Sequence, residues 1–407
     1  MKSYIELLRK RPQFRSVWLA SVVSLTGDWF NTIASVIIIS RYSSSGLAIG
    51  GLFLARSLPQ FLVGPVAGVV ADRFSRKNVM VVTDLLRAAI VLSFLFIDRP
   101  ERLWLIYLLT SAQFLAAAFF QPASMALVPS LIQKDELLTG NILNSVTWSA
   151  MLALGAAMGG GVTALFGTQT ALIIDSITYL LSAVLVAQIN SDTRPSHENR
   201  VTTGWGDMIN GFRYVSGHPR TGFLALVKGM GQIGTGDIII AIYAERLFVV
   251  GPEGATSLGL LYTSAGLGAI IGPIVGRKLG EENAYGLRII IQKGFVIIPL
   301  AWLVMGLAPV LWVAMLGIFL RLMGNASNWT YSNVLLQEEV PDQYLGRVFA
   351  LDFALFTLVS AIVILSSGWL LDNLYTSPRQ LAYTFSAGSL ISLLIWTRYL
   401  RRSKLTK

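Results

Sequence analysis

Two aspartates stand near the centres of long apolar runs, Asp28 in residues 14–40 and Asp237 in residues 221–248. Arg321 stands near the centre of a third run, 310–335, and Arg56, Arg87, Lys228 and Lys293 also fall inside apolar stretches. An ionised side chain in hydrocarbon costs about 2.5–3.5 kcal/mol on insertion scales, so each must face protein or water and find a partner. A carboxyl in a partly dry cavity can load and release a proton as its surroundings change. The same residues also suit structural ion pairs, for example Asp28 with Arg56 on the next run. Arg321 suits either an anionic ligand or the neutralisation of an acid. The chain has no cysteine, which excludes thiolate nucleophiles, thiolate metal sites and disulfides. Its two histidines, His197 and His218, lie in one hydrophilic stretch and form no metal-binding cluster. No G-x-x-x-x-G-K-[ST] motif is present, so ATP is not the direct energy source, and no cofactor is expected.

These side chains need helices to hold them at depth. Of 407 residues, 54% are hydrophobic and 13% charged, against roughly 25% charged in soluble proteins. A soluble enzyme is excluded. A membrane helix needs about 20 apolar residues, and about twelve such spans can be read: 14–40, 46–71, 78–97, 103–126, 138–166, 169–190, 221–248, 256–276, 285–307, 310–335, 345–371 and 378–400. Backbone groups in lipid must be satisfied within the segment, so each span is expected to be helical and the protein an all-α membrane protein. The first run is too long for a cleavable signal peptide and leads directly into further spans. With both termini placed in the cytoplasm, 22 of the 32 Lys and Arg fall on the cytoplasmic side, 5 outside and 5 within spans. That bias sets the orientation, and it explains the net charge of +10 without nucleic acid.

The chain repeats itself. Thr26-Gly27-Asp28 in span 1 recurs as Thr235-Gly236-Asp237 in span 7, and Gly64-Pro65-Val66-Ala67-Gly68 in span 2 recurs as Gly272-Pro273-Ile274-Val275-Gly276 in span 8. Two matches in register predict two pseudo-symmetric six-helix halves, 1–190 and 221–407, related by an axis along the membrane normal. Residues 191–220 form the hydrophilic linker. Within it Trp205, Met208, Ile209 and Phe212 recur at helical spacing, predicting a short amphipathic helix on the cytoplasmic surface.

Between spans 2 and 3 the sequence reads G-P-V-A-G-V-V-A-D-R-F-S-R-K, residues 64–77. It resembles the signature loop of the major facilitator superfamily, G-x-x-x-D-R-x-G-R-[KR]. Gly68, Asp72, Arg73, Arg76 and Lys77 match, and Ser75 stands where the family usually has Gly. Gly155-Ala156-Ala157-Met158-Gly159-Gly160 in span 5 resembles the antiporter motif G-P-x-x-G-G, with Ala156 in place of proline. Its small residues, Gly155, Gly159 and Gly160, would permit close helix packing in any case. Further stretches are Gly27-Asp28-Trp29-Phe30, Asp84-Leu85-Leu86-Arg87-Ala88, Phe120-Gln121-Pro122-Ala123-Ser124 and Leu345-Gly346-Arg347-Val348-Phe349-Ala350. Together they look like the prokaryotic drug:proton antiporter branch that includes macrolide exporters and the enterobactin exporter.

The resemblance implies a central cavity lined by spans 1, 4, 7 and 10. Trp29, Asn31, Gln113, Arg321 and Arg56 are then its candidate substrate residues, and Asp28 and Asp237 the candidate proton carriers. It also implies a conformational latch. Gly68, Asp72, Arg73, Arg76 and Lys77 form the loop, Asp84 and Arg87 share one face of span 3, and Arg347 and Asp352 open span 11, whose N-terminus favours an acid such as Asp72. The expected function is a secondary active transporter that exports small amphipathic molecules (drug, macrolide or siderophore class) against a proton gradient. The alternatives are a lipid or lysolipid translocase and a non-transporting membrane sensor. The expected partners are lipids, protons and a small-molecule substrate. The expected setting is the prokaryotic plasma (inner) membrane, where the chain is a multi-pass monomer.

Overall fold

A computed structural model describes residues 2–190, 204–233, 236–279 and 283–404. The elements are α-helices with short 3-10 turns: α1 (Lys2–Lys10), α2 (Pro12–Tyr42), α3 (Gly46–Arg73), α4 (Arg76–Ser93), α5 (Trp104–Leu131), α6 (Leu137–Ala187), α7 (Gly204–Gly217), α8 (Pro219–Ala225), α9 (Val227–Gln232), α10 (Ile238–Arg246), α11 (Ala255–Leu279), α12 (Ala284–Leu307), α13 (Leu311–Glu339), α14 (Asp342–Asn373) and α15 (Pro378–Lys404). Among the described residues eight helices are long and apolar enough to cross a membrane. One of these, α6, covers spans 5 and 6: Gly167 breaks it with φ 85°, a left-handed conformation that glycine adopts without a Cβ clash. Span 7 is not one helix. It is divided among α8, α9 and α10, and the glycines at 229, 231 and 236 favour the break before α10, since each costs about 1 kcal/mol of helix propensity relative to alanine.

The chain divides into two compact units. The first comprises Met1–Ser43, Ala55–Gly204 and Gly251–Gly259. Its core includes Phe14, Val17, Met80, Phe120, Leu127 and Val186, from α2, α4, α5 and α6. Here α6 packs along α2 through glycine. A Cβ on Gly155 would lie 3.0 Å from Trp29 Cδ1, and one on Gly159 3.1 Å from the Trp29 carbonyl oxygen. One on Gly160 would lie 2.8 Å from the Cα of Gly259.

The second unit comprises Ser44–Leu54, Trp205–Val250 and Leu260–Lys407. Trp302 and Trp396 are fully buried in it, and Trp302 meets Phe385 edge-on at 5.0 Å. The first turns of α3 belong to this unit. There Asp372, at the end of α14, accepts from Ser45 Oγ (2.6 Å) and from the backbone N–H groups of Gly46 (2.6 Å) and Leu47 (3.0 Å). The two N–H groups are orphan donors of a helix start, satisfied by one carboxylate. The helix α7 lies on the start of α14: a Cβ on Gly211 would collide with the Arg347 carbonyl, and the Tyr214 ring stacks on Tyr344 at 4.4 Å. Ile209 and Phe212 on α7 are exposed, while the Trp205 and Met208 side chains lie outside the described residues.

Candidate functional site: buried charge clusters in each unit

Three helices of the first unit bring polar groups together inside apolar surroundings. Asp28 is near the middle of α2. Asp84 and Arg87 lie one turn apart on α4. On α6, Asp175, Tyr179 and Ser182 follow at spacings of four and three, which put them on one face.

Arg87 is the hub. Its Nη2 donates to Asp28 Oδ1 (3.0 Å) and Oδ2 (3.3 Å) and to Tyr179 Oη (2.7 Å). Its Nη1 lies 3.4 Å from Asp84 Oδ1. The guanidinium also lies over the Tyr179 ring, 4.0 Å from the centroid. Tyr179 in turn donates to Asp28 Oδ1 (2.5 Å) and accepts from Gln113 Nε2 (2.9 Å) on α5. Ser182 Oγ donates to Asp84 Oδ2 (2.5 Å). Planar guanidinium with several fixed donors is suited to bridging two carboxylates in this way. The Arg87 side chain is 5% exposed, Asp84 0% and Asp28 18%. Asp28 is thus the member of this ion-paired set with access to solvent.

The arrangement differs from the simplest sequence expectation in its pairing. Asp28 pairs with Arg87, whereas Arg56 donates to Thr32 Oγ1 and lies over the Phe114 ring at 4.5 Å. Sequence spacing groups Asp84 and Arg87 with the signature loop. In the structure both sit with Asp28, because α4 runs between α5 and α6 and turns this face inward. Asp175, Tyr179 and Ser182 escape the sequence reading altogether. Their signal is an acid, a phenol and a hydroxyl at helical spacing inside span 6.

The signature loop has its own contacts. Ser75 Oγ accepts from the Asn78 backbone N–H at 3.4 Å, capping α4 with φ −56°. Serine thus serves where the family usually has glycine, since this φ needs no left-handed residue. Arg76 Nη1 donates to the Ala126 carbonyl (2.8 Å), and Lys77 Nζ to the Ile189 carbonyl (2.7 Å). Both cations therefore brace carbonyls near the ends of α5 and α6, where the helix dipole favours positive charge. Arg73 is exposed at the end of α3. Gly68 lies within α3, and the Asp72 side chain lies outside the described residues.

Of the expected cavity residues, Trp29 packs on Gly155. Asn31 is buried and accepts from Ser35 Oγ at 3.3 Å, with its Nδ2 unpartnered. Gln113 is buried and bound to Tyr179.

Among the described residues, the second unit also holds ion pairs with a buried cation. Arg321 Nη1 on α13 lies 3.2 Å from Asp237 Oδ1, with side chains 3% and 55% exposed. Asp237 does not sit inside a continuous helix but at the N-cap of α10, a consequence of the broken span 7. Asp352 on α14 is 0% exposed and pairs with Lys228 of α9. The Lys228 ammonium also lies 4.5 Å from the Trp329 ring centroid. Arg347, the other residue expected at the start of span 11, lies over the Tyr344 ring at 5.7 Å.

A helical bundle with several apolar spans and ionisable groups held within them defines a multi-pass integral membrane protein. The model of the family described as transmembrane secretion effectors matches residues 7–399. The chain belongs to this family of the major facilitator superfamily, whose members are transporters and not enzymes. It is 26% identical over 382 residues to the uncharacterized MFS-type transporter YfiS of Bacillus subtilis (strain 168), covering 90% of this chain and 88% of the relative. It is 25% identical over 358 residues to the enterobactin exporter EntS of Citrobacter koseri, covering 84% and 82%. Among solved structures it resembles the nucleoside transporter NupG, with TM-score 0.70, 12% identity and coverage of 95% and 98%. It also resembles the POT family transporter PepTSo, with TM-score 0.73, 11% identity and coverage of 98% and 99%. These likenesses establish the helical transporter fold.

Proposed function

We propose that this transporter exports small amphipathic molecules in exchange for protons, and that Asp28 carries the exchanged proton. The observation behind this reading is the Asp28–Arg87–Tyr179 arrangement, in which a partly exposed carboxylate is held by a buried cation. Ionised Asp28 accepts from both Arg87 and Tyr179. Protonation cancels its charge, weakens the pair with Arg87 and leaves the guanidinium to Asp84. The cluster therefore has two charge states whose relative stability depends on which side the site faces, as coupling requires. The export direction is supported by the relationship to an enterobactin exporter. The same proposal assigns the chain to the prokaryotic plasma membrane, with both termini in the cytoplasm, as the distribution of Lys and Arg favours. It retains the signature loop as the latch between conformations, with Asp72 as the acid that engages and releases.

The test is flux in proteoliposomes under an imposed pH gradient, using macrolides, catecholate siderophores and amphipathic dyes as substrates. Asp28→Asn should abolish gradient-driven flux and retain counterflow exchange of the substrate that the wild type moves. Gradient-driven flux at the wild-type rate in Asp28→Asn would overturn the assignment.

A further inference from the structure

Asp175 has no part in the exchange just described, yet it is a fully buried acid beside the same cluster. Its side chain packs on the backbone of the residue preceding Asp28. A Cβ on Gly27 would collide with both Asp175 Oδ1 and Thr178 Oγ1. Asp175 is 0% exposed, and its Oδ2 has no hydrogen-bond partner. Its Oδ1 has one long contact, 3.4 Å from Thr178 Oγ1, and that hydroxyl donates at 2.6 Å to the Asp175 backbone carbonyl instead. A buried carboxylate is tolerated only if strongly paired or hydrogen-bonded, and neither condition is met here.

The charges on the surrounding helices lead to the same result. Asp28 faces the site from α2, Arg56 from α3, Asp84 and Arg87 from α4, and the neutral Gln113 and Tyr179 from α5 and α6. Three carboxyls thus surround two guanidinia. Arg87 is already shared between Asp28 and Asp84, and Arg56 is bound to Thr32 and the Phe114 ring. With Asp28 and Asp84 ionised, the two cations are balanced and no positive charge is left over for Asp175.

We infer that Asp175 is a second proton-holding group of this transporter, neutral in this conformation, which stores a proton while Asp28 exchanges one with solvent. This rests on the proposed role of Asp28. The two groups trade a proton without change in total charge. The O–H bond of Asp175 breaks, one forms on Asp28, and Arg87 exchanges its ionic partner Asp28 for Asp175. Gly27 keeps the two carboxyls close, because any side chain there would occupy the space of Asp175 and Thr178.

The test is infrared difference spectroscopy of the full-length protein in liposomes across a pH jump. The wild type should show a protonated-carboxyl C=O stretch at neutral pH. The band should vanish in Asp175→Asn, shift to the glutamic-acid position in Asp175→Glu, and weaken in Asp28→Asn, where the lost Asp28 charge frees Arg87 to pair with ionised Asp175. The Glu variant keeps the assignment testable if the Asn variant folds poorly. Proton release on the jump to alkaline pH should also fall by one per molecule in Asp175→Asn. A wild type without the band, or a band unchanged in both Asp175 variants, overturns the inference. If Asp28→Asn still pumps while the Asp175 band behaves as stated, the role of Asp28 fails and the protonation of Asp175 stands.

Discussion

Replacing Arg87 by Gln should be among the most destabilising single changes in the first unit. The arginine side chain is 5% exposed and contacts two carboxylates, one of them, Asp28 Oδ1, at 3.0 Å. At an effective dielectric of about 20, two unit charges at that separation attract by roughly 5–6 kcal/mol. Part of this offsets the cost of removing the ions from water, so the quantity to expect is the loss on breaking a buried pair, about 3–5 kcal/mol. Asp28 keeps 18% of its surface and recovers some hydration, whereas Asp84 has none to recover. Glutamine retains hydrogen-bonding capacity toward Tyr179, so the loss isolates the charge. Asp28→Asn alone should cost less, since the amide still accepts from Arg87 and Tyr179. Combining the two should recover about 0.5–3 kcal/mol relative to the sum of the single losses, the range for coupled neighbours. The assay is denaturant unfolding of the detergent-solubilised full chain, followed by tryptophan fluorescence. Losses that add to within about 0.5 kcal/mol would refute the direct coupling of Arg87 to Asp28.

Two further outcomes follow from the second unit. Lys228→Met leaves Asp352 buried and unpaired and should cost about 3–5 kcal/mol. Lys228→Met with Asp352→Leu should restore most of it, and a double variant no more stable than the single one in thermal melting would count against the pair. Asp372→Ala removes the acceptor for Ser45, Gly46 and Leu47, and should cost about 0.5–2 kcal/mol as the loss of a helix cap. It should also speed amide hydrogen exchange at residues 46–49, and unchanged exchange there would rule out the capping role.

What the sequence could and could not disclose follows from the range of each interaction. Apolar runs are legible because hydrocarbon forces every backbone group into a helix, whatever the helix packs against. The turn between spans 5 and 6 is legible for a local reason, Gly167 between two apolar runs. The division of span 7 into α8, α9 and α10 is harder to read, because hydropathy averages over glycines that weaken a helix without making it polar. Asp28 stands out as an isolated acid. Its partner does not, since Arg56 and Arg87 are both plausible until the rotation of α4 against α2 and α6 is known. That rotation is set by packing between helices distant in the chain, through contacts such as those of Gly155 and Gly159 with α2. Asp175 illustrates a different failure. It goes unread as one acid in span 6, because the information lies in its spacing to Tyr179 and Ser182.

The repeat gives the two units a common plan with divergent chemistry. Asp28 and Asp237 are 209 residues apart, and Gln113 and Arg321 are 208 apart, so in each unit an acid from one repeat position meets a polar group from another. In the first unit Gln113 is neutral and reaches Asp28 only through Tyr179, while Arg87 on α4 supplies the cation. In the second unit the cation is at the repeat position itself, and Arg321 contacts Asp237 directly. The difference in burial decides what each acid can do. Asp237 is 55% exposed, and an ion pair with such a member contributes about 0–1 kcal/mol. It can form and break at little cost, which suits a group that admits or releases a ligand. Asp28 is mostly enclosed, and its loss of charge alters the balance of Arg87, Asp84 and Asp175 together. On the proposed mechanism, proton coupling therefore belongs to the first unit. The Arg321–Asp237 pair of the second unit then has no part in storing the energy of the gradient.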